Sequence, residues 1–173
     1  MTSSPKSVPC QRDFKQLLEI DMDVRQFGSD WAHCDQISSY ASRMISHNRM
    51  DSLRFANLFS SAMNEIMETA FHARAEKGTL RCALHRCDEI DRIELTIPCD
   101  GSAARFFQST IDLAHAENAE EAYMAELFSE SAPDKNLGLL ELAIDYNASI
   151  SLKELGDESV CLTVDLALEE PEN

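Results

Sequence analysis

Hydrophobic and polar positions along the chain repeat with two different periods, and the switches between them predict its elements. Over residues 51–77, Phe55, Phe59, Ala62, Ile66 and Ala70 recur three or four apart, with Leu58, Met63 and Met67 widening the stripe. That spacing places the apolar side chains on one face of a long amphipathic helix. Asp51 is positioned to cap its start, and Gly78 stands where a left-handed closing residue is commonly needed. The opposite face carries Ser61, Asn64, Glu65, Glu68, Thr69 and His72. Ahead of this helix, residues 21–27 read as a short edge strand. Gly28, Ser29 and Asp30 then offer a turn and a cap for a helix over residues 31–47.

Beyond Gly78 the period changes to two. Residues 79–87 and 92–98 alternate on either side of residues 88–91, which predicts an antiparallel hairpin. Residues 99–102 turn the chain into a helix over 103–115, and a second helix follows over 119–129. The polar segment 130–136 contains Pro133 and is of a length that often serves as a lid. Helical spacing resumes over 137–146. Residues 147–155 and 159–168 alternate again about Gly156 and Asp157, a second hairpin. The order helices, hairpin, helices, hairpin predicts an α+β two-layer sandwich, with both hairpins in one mostly antiparallel sheet covered on one face by helices.

Composition narrows this picture. The 173 residues are 44% apolar, enough for one core, so a single domain over residues 13–168 is expected, with disordered tails at 1–12 and 169–173. Fifteen basic against thirty-one acidic side chains give a net charge of -16, which repels nucleic acid and anionic lipid. A nucleic-acid partner is therefore disfavoured. No apolar run approaches the roughly 18–20 residues of a membrane span, and the start of the chain lacks the apolar core of a leader, so a cytoplasmic protein is expected. The six cysteines form no closely spaced pair of the Cys-x-x-Cys kind and read as free thiols. On a strand His85 and Cys87 would share a face that Cys82 would not, which favours ordinary strand residues over metal ligands.

The candidate chemistry lies in three short segments in a fixed order: Asn64 to Ala70 on the long helix, the Asp100-Gly101 turn after the first hairpin, and Asn136-Leu137-Gly138-Leu139-Leu140 opening a helix after the lid-like loop. Over residues 50–168 this order resembles the histidine-kinase-like (GHKL) ATPase fold. It resembles in particular the anti-sigma-factor serine kinases of bacterial partner-switching systems and their SiaB-like relatives. In that family a helix bears Glu-x-x-x-Asn, the glutamate serving as general base and the asparagine holding the magnesium ion on ATP. The resemblance places Glu65 as that base and Thr69 at the asparagine position, where a hydroxyl replaces the carbonyl ligand. The family's second box puts an aspartate on the adenine, and here Asp100 and Gly101 are adjacent with no second glycine following. Its third, a phosphate-binding helix start, matches Leu137-Gly138-Leu139, with Asn136 where a glycine often stands and Lys135 adding a charge.

Each site has a plainer reading as well: Glu65 as a solvated helix residue, Asp100-Gly101 as a turn, Gly138 as a packing glycine. The resemblance implies ATP and Mg2+ as cofactors and a protein partner of antagonist, sigma-factor or response-regulator type. Under it the chain is a serine/threonine kinase of that partner or a catalytically inactive adaptor on the same frame. A sensor of another small anion in the same pocket is a third reading. It also implies a homodimer, for which Trp31, Ile37, Tyr40, Met44 and Ile45 offer apolar positions. His72 is expected to pair with Glu68 on the helix surface, because two hairpins argue against a helical phosphotransfer domain. Glu65 is expected to face a pocket roofed by residues 130–138.

Overall fold

The computed structural model describes residues 13–130, 137–156 and 158–169. Alternation fixes the sheet. In β3 (Ile90–Pro98), Ile93, Leu95 and Ile97 are fully buried while Arg92, Glu94 and Thr96 face outward; β5 (Ser159–Leu166) repeats the pattern with Val160, Leu162 and Val164. Their antiparallel register sets Ile93 opposite Val164, Leu95 opposite Leu162 and Ile97 opposite Val160. A slip of one residue would turn this apolar row to solvent, so the register is strongly specified. With β1 (Lys15–Asp23), β2 (Thr79–Cys87) and β4 (Ser149–Glu154), the strands form one antiparallel sheet in the order β1-β2-β3-β5-β4. The helices cover its apolar face, and the fold is an α+β two-layer sandwich.

Helix α3 (Ser52–Ala73) fills the centre of that layer and buries Phe55, Phe59, Ala62, Met63, Ile66, Met67 and Ala70. Fully burying side chains of this size contributes roughly 1.5–3 kcal/mol each, so this one stripe anchors the domain. Asp51 caps it by accepting from the Arg54 amide at 3.0 Å. Helix α2 (Ala32–Ile45) packs beside α3. On the other side, α4 (Gly101–Ala114), α5 (Ala119–Leu127) and α6 (Leu137–Ile144) pack on one another, with α6 against α3. No helix among the described residues is long and apolar enough to cross a membrane.

Three boundaries differ from the sequence reading. The first strand spans Lys15–Asp23, not residues 21–27. A register shift between Gln16 and Leu18 hides its alternation, and Val24 and Phe27, three apart and both buried, belong to a single helical turn, α1 (Val24–Phe27), capped by Asp23. Helix α3 ends at Ala73 instead of Lys77, because Arg74 turns extended (φ -58°, ψ 145°) and the Ala75 amide donates to the Pro98 carbonyl at 2.6 Å. Gly78 does adopt a positive φ of 128°, but as the entry to β2, where a Cβ would stand 2.8 Å from Pro98 Cβ and Cγ. The first hairpin is tighter than expected, turning at Asp88 (φ 54°) so that Cys87 pairs with Ile90.

One polar cluster lies inside the apolar face. Asp91 points inward and accepts from Arg86 Nε at 2.7 Å and Arg49 Nη2 at 2.8 Å, while Arg49 Nη1 reaches Glu169 Oε2 at 2.7 Å. Arg86 also donates to the Ile45 carbonyl at 2.8 Å, and the Arg49 guanidinium sits 4.9 Å over the Phe55 ring. The two central charges are almost dry, with the Asp91 side chain 3% and Arg49 7% exposed, while Arg86 and Glu169 reach partly into solvent. They tie the end of α2, the β2–β3 hairpin and Glu169, which the sequence assigns to the tail, into one corner.

Candidate functional site

Glu65, Thr69 and His72 follow one another along the polar side of α3, a turn apart. The start of α6 crosses directly over the first two. A Cβ built on Gly138 would lie 2.7 Å from Glu65 Oε2 and 3.5 Å from Thr69 Oγ1, so only a glycine lets α6 come this close without moving the carboxyl. The fold thus brings Glu65, Thr69 and Gly138 together. Partial burial strips water from Glu65 and pushes its carboxyl up to about 7, with the nearby Glu141 and Glu68 adding repulsion. Glu141 on α6 is itself raised, first by burial and then by Asp145, whose carboxylate accepts from Tyr123 Oη at 2.9 Å.

Thr69 is buried, and its hydroxyl donates to the Glu65 carbonyl at 2.7 Å. Asn64, one residue before the glutamate, donates to Glu68 Oε1 at 2.7 Å. With Glu68 so engaged, His72 does not pair with it as expected; its ring lies against Trp31, tilted by 58° with centroids 5.1 Å apart.

Thr69 and Asp100 line the same cavity of about 310 Å³, together with His72, Ala73 and Arg74 from the end of α3 and Ser102, Ala103 and Phe106 from the start of α4. A wider depression of about 970 Å³ continues from it along residues 73–79 and 98–101. Asp100 is the N-cap of α4. Its Oδ1 accepts from the amides of Ser102 and Ala103, both at 2.9 Å, and from Ser102 Oγ at 2.8 Å. These bonds hold its carboxyl below the usual range and occupy two of the amides that a helix start otherwise offers to an anion. Gly101 opens α4 where a Cβ would find only Arg105 Nη1 at 3.6 Å, an ordinary contact, so sterics do not require a glycine there. Arg74 is also committed: its guanidinium covers the Phe71 ring at 4.1 Å and donates to the carbonyls of Phe71 and Gly28. Lys135, Asn136 and most of the expected lid lie outside the described residues.

Two features around the crevice escaped the sequence reading, one beside Glu65 and one at the end of α3. Glu141 follows Gly138 by three residues on α6, so helical spacing from the glycine was the available signal. The seating of Arg74 on Gly28 joins residues 46 apart and left no local trace. Elsewhere, His85 faces Glu94 at 3.8 Å and Arg92 pairs with Asp165 at 2.7 and 2.8 Å on the outer sheet face. Among the described residues no group of three or more His, Cys, Asp or Glu is placed to hold a metal ion.

No protein-family model and no curated protein matches the chain. Among solved structures it is similar to a chain in the crystal structure of the SiaB–SiaC complex from Pseudomonas aeruginosa, with a TM-score of 0.60 and 14% sequence identity, covering 87% of this chain and 89% of that one. At that identity the likeness establishes the shared α+β fold.

Proposed function

We propose that this chain is a signalling regulator of the partner-switching kind, which acts by holding a protein partner of antagonist, sigma-factor or response-regulator type. The observation that carries this reading is the likeness, over most of both chains, to a component of a two-protein complex. The strongly acidic surface supports it by disfavouring nucleic acid and anionic lipid as alternatives, and a cytoplasmic site of action follows from the same role. A homodimer is part of the reading, with one revision: Ile37 and Ile45 are core residues, so of the expected positions Trp31, Tyr40 and Met44 are left exposed for self-association, with the exposed Met50 and Leu53 following in sequence.

ATP and Mg2+ fit the residues present poorly. Thr69 offers one neutral oxygen whose proton is given to a helix carbonyl, and the Asp100 oxygen that caps α4 already accepts three hydrogen bonds. A carboxyl at Glu65 pushed up to about 7 is about half protonated near that pH, and so a weaker partner for a cation than an ordinary carboxylate. We therefore favour a binding module on a kinase-like frame. Titration of ATP with and without magnesium into wild type and Thr69→Asn tests this. Wild type should show no magnesium-dependent affinity, and Thr69→Asn should gain some by restoring a carbonyl ligand. Magnesium-dependent binding by wild type, abolished in Thr69→Ala, would overturn it. One observation favours a second reading: a half-buried carboxyl titrating near 7 suits a general base for a partner's hydroxyl.

A further inference from the structure

Helix α5 carries an apolar face that stays exposed among the described residues. It packs on α6 and α4 through Ala119 and Tyr123, while Met124, Leu127 and the capping Phe128 stay 43%, 48% and 74% exposed. Leaving a phenylalanine this far in water forgoes most of the stabilisation its burial would give. Met124 and Phe128 are one turn apart and so stand on the same side of the helix, in line with Glu120. Beside them Glu117, Glu120, Glu121 and Met124 line a shallow depression of about 560 Å³. Between residues 115 and 130 the chain has Glu117, Glu120, Glu121, Glu126 and Glu130 but no lysine or arginine.

We propose that the Met124–Phe128 face of α5 docks a protein segment in which lysines or arginines flank one or two large apolar side chains. The apolar pair anchors it and the glutamate rim selects its charge. A second copy of the chain does not suit this face, because pairing α5 with its own copy would set glutamates against glutamates. Nucleic acid and anionic membranes are repelled on the same ground. The inference deepens the partner-binding reading above by assigning the partner's chemistry.

The test measures fluorescence anisotropy of a labelled helical peptide, with leucines on one face and lysines on the other, against the full chain. Two variants carry changes in the face: Met124→Ala with Phe128→Ala, and Glu117→Gln with Glu120→Gln and Glu121→Gln. A control removes the same number of charges elsewhere, at the exposed Asp35→Asn, Glu89→Gln and Glu154→Gln. Each variant of the face should weaken binding by about tenfold or more, and the control by about twofold or less. Equal losses from the two charge-neutralising variants would overturn the proposal, since binding would then report net charge alone. Undiminished binding by the Met124→Ala, Phe128→Ala variant would overturn it too. A partner captured from cell lysate equally by wild type and both variants of the face would remove this surface while leaving partner binding intact. Peptide binding with the expected pattern, but no captured partner, would do the reverse.

Discussion

Glu65 gives the crevice a pH signature that can be measured without knowing any ligand. Its carboxyl has an ordinary value of 4.5 and is pushed up to about 7 in the fold, by burial first and then by Glu141 and Glu68. Among the described residues, the titratable groups that interact with its charge are acidic or neutral: Glu141 from α6, Glu68 one turn along α3, Tyr123 from α5 and Tyr146 after α6. Because the folded value is the higher one, the fold holds this proton more tightly than the unfolded chain does. The resulting stabilisation is fully present below about 4.5 and is lost as pH rises through about 7. A difference of about 2.5 pH units at 1.36 kcal/mol each sets an upper bound of about 3 kcal/mol. Glu65 is only half-buried, so screening by water reduces this to about 1–2 kcal/mol. Glu65→Gln keeps the shape and removes the titration. Urea unfolding of both proteins from about pH 5 to about pH 8 should show wild type losing about 1–2 kcal/mol relative to the variant, or roughly 2–8 °C in relative melting temperature. Gly138→Ala should flatten that difference by pushing the carboxyl toward water. Parallel stability curves for wild type and Glu65→Gln would refute the reasoning, because they would mean that α6 does not close over a desolvated carboxyl.

Two further outcomes follow from the packing. Asp91→Ala should cost about 3–5 kcal/mol in urea unfolding, because it leaves the Arg49 and Arg86 guanidiniums facing each other in a nearly dry corner; a loss under about 1 kcal/mol would show that water reaches them. Light scattering should report a dimer for wild type and a monomer for Tyr40→Glu with Met44→Glu, and a wild-type monomer at tens of micromolar would reject the self-association face.

The parts of the fold that were legible in the sequence are those in which one period runs unbroken. The α3 stripe, the β2–β3 hairpin and β5 keep their spacing through the core, so pattern and burial coincide. β1 was misplaced because the irregularity between Gln16 and Leu18 interrupts its alternation and Leu17 faces solvent. The end of α3 was misjudged because residues 74–77 satisfy helical composition while Ala75 takes its hydrogen bond from Pro98, a tertiary choice with no local signature. Around the crevice, spacing on α3 was enough to place Glu65 and Thr69 on one side. Their closeness to Gly138 depends on how α6 crosses α3, and the raised carboxyl on burial and on Glu141, so neither was written in any single segment. The Arg49–Asp91–Glu169 corner joins positions 42 and 120 residues apart and was invisible for the same reason.

Affinity capture with the tagged full chain from a lysate of the source cells, read by quantitative mass spectrometry with and without added ATP and magnesium, tests the central claim most directly. A regulator that works by holding a partner, on a frame whose crevice is not fitted to a magnesium-bound triphosphate, should recover one protein in near-equal amount to the bait, equally under both conditions. Recovery of no such protein, or of one only when ATP and magnesium are present, would contradict it.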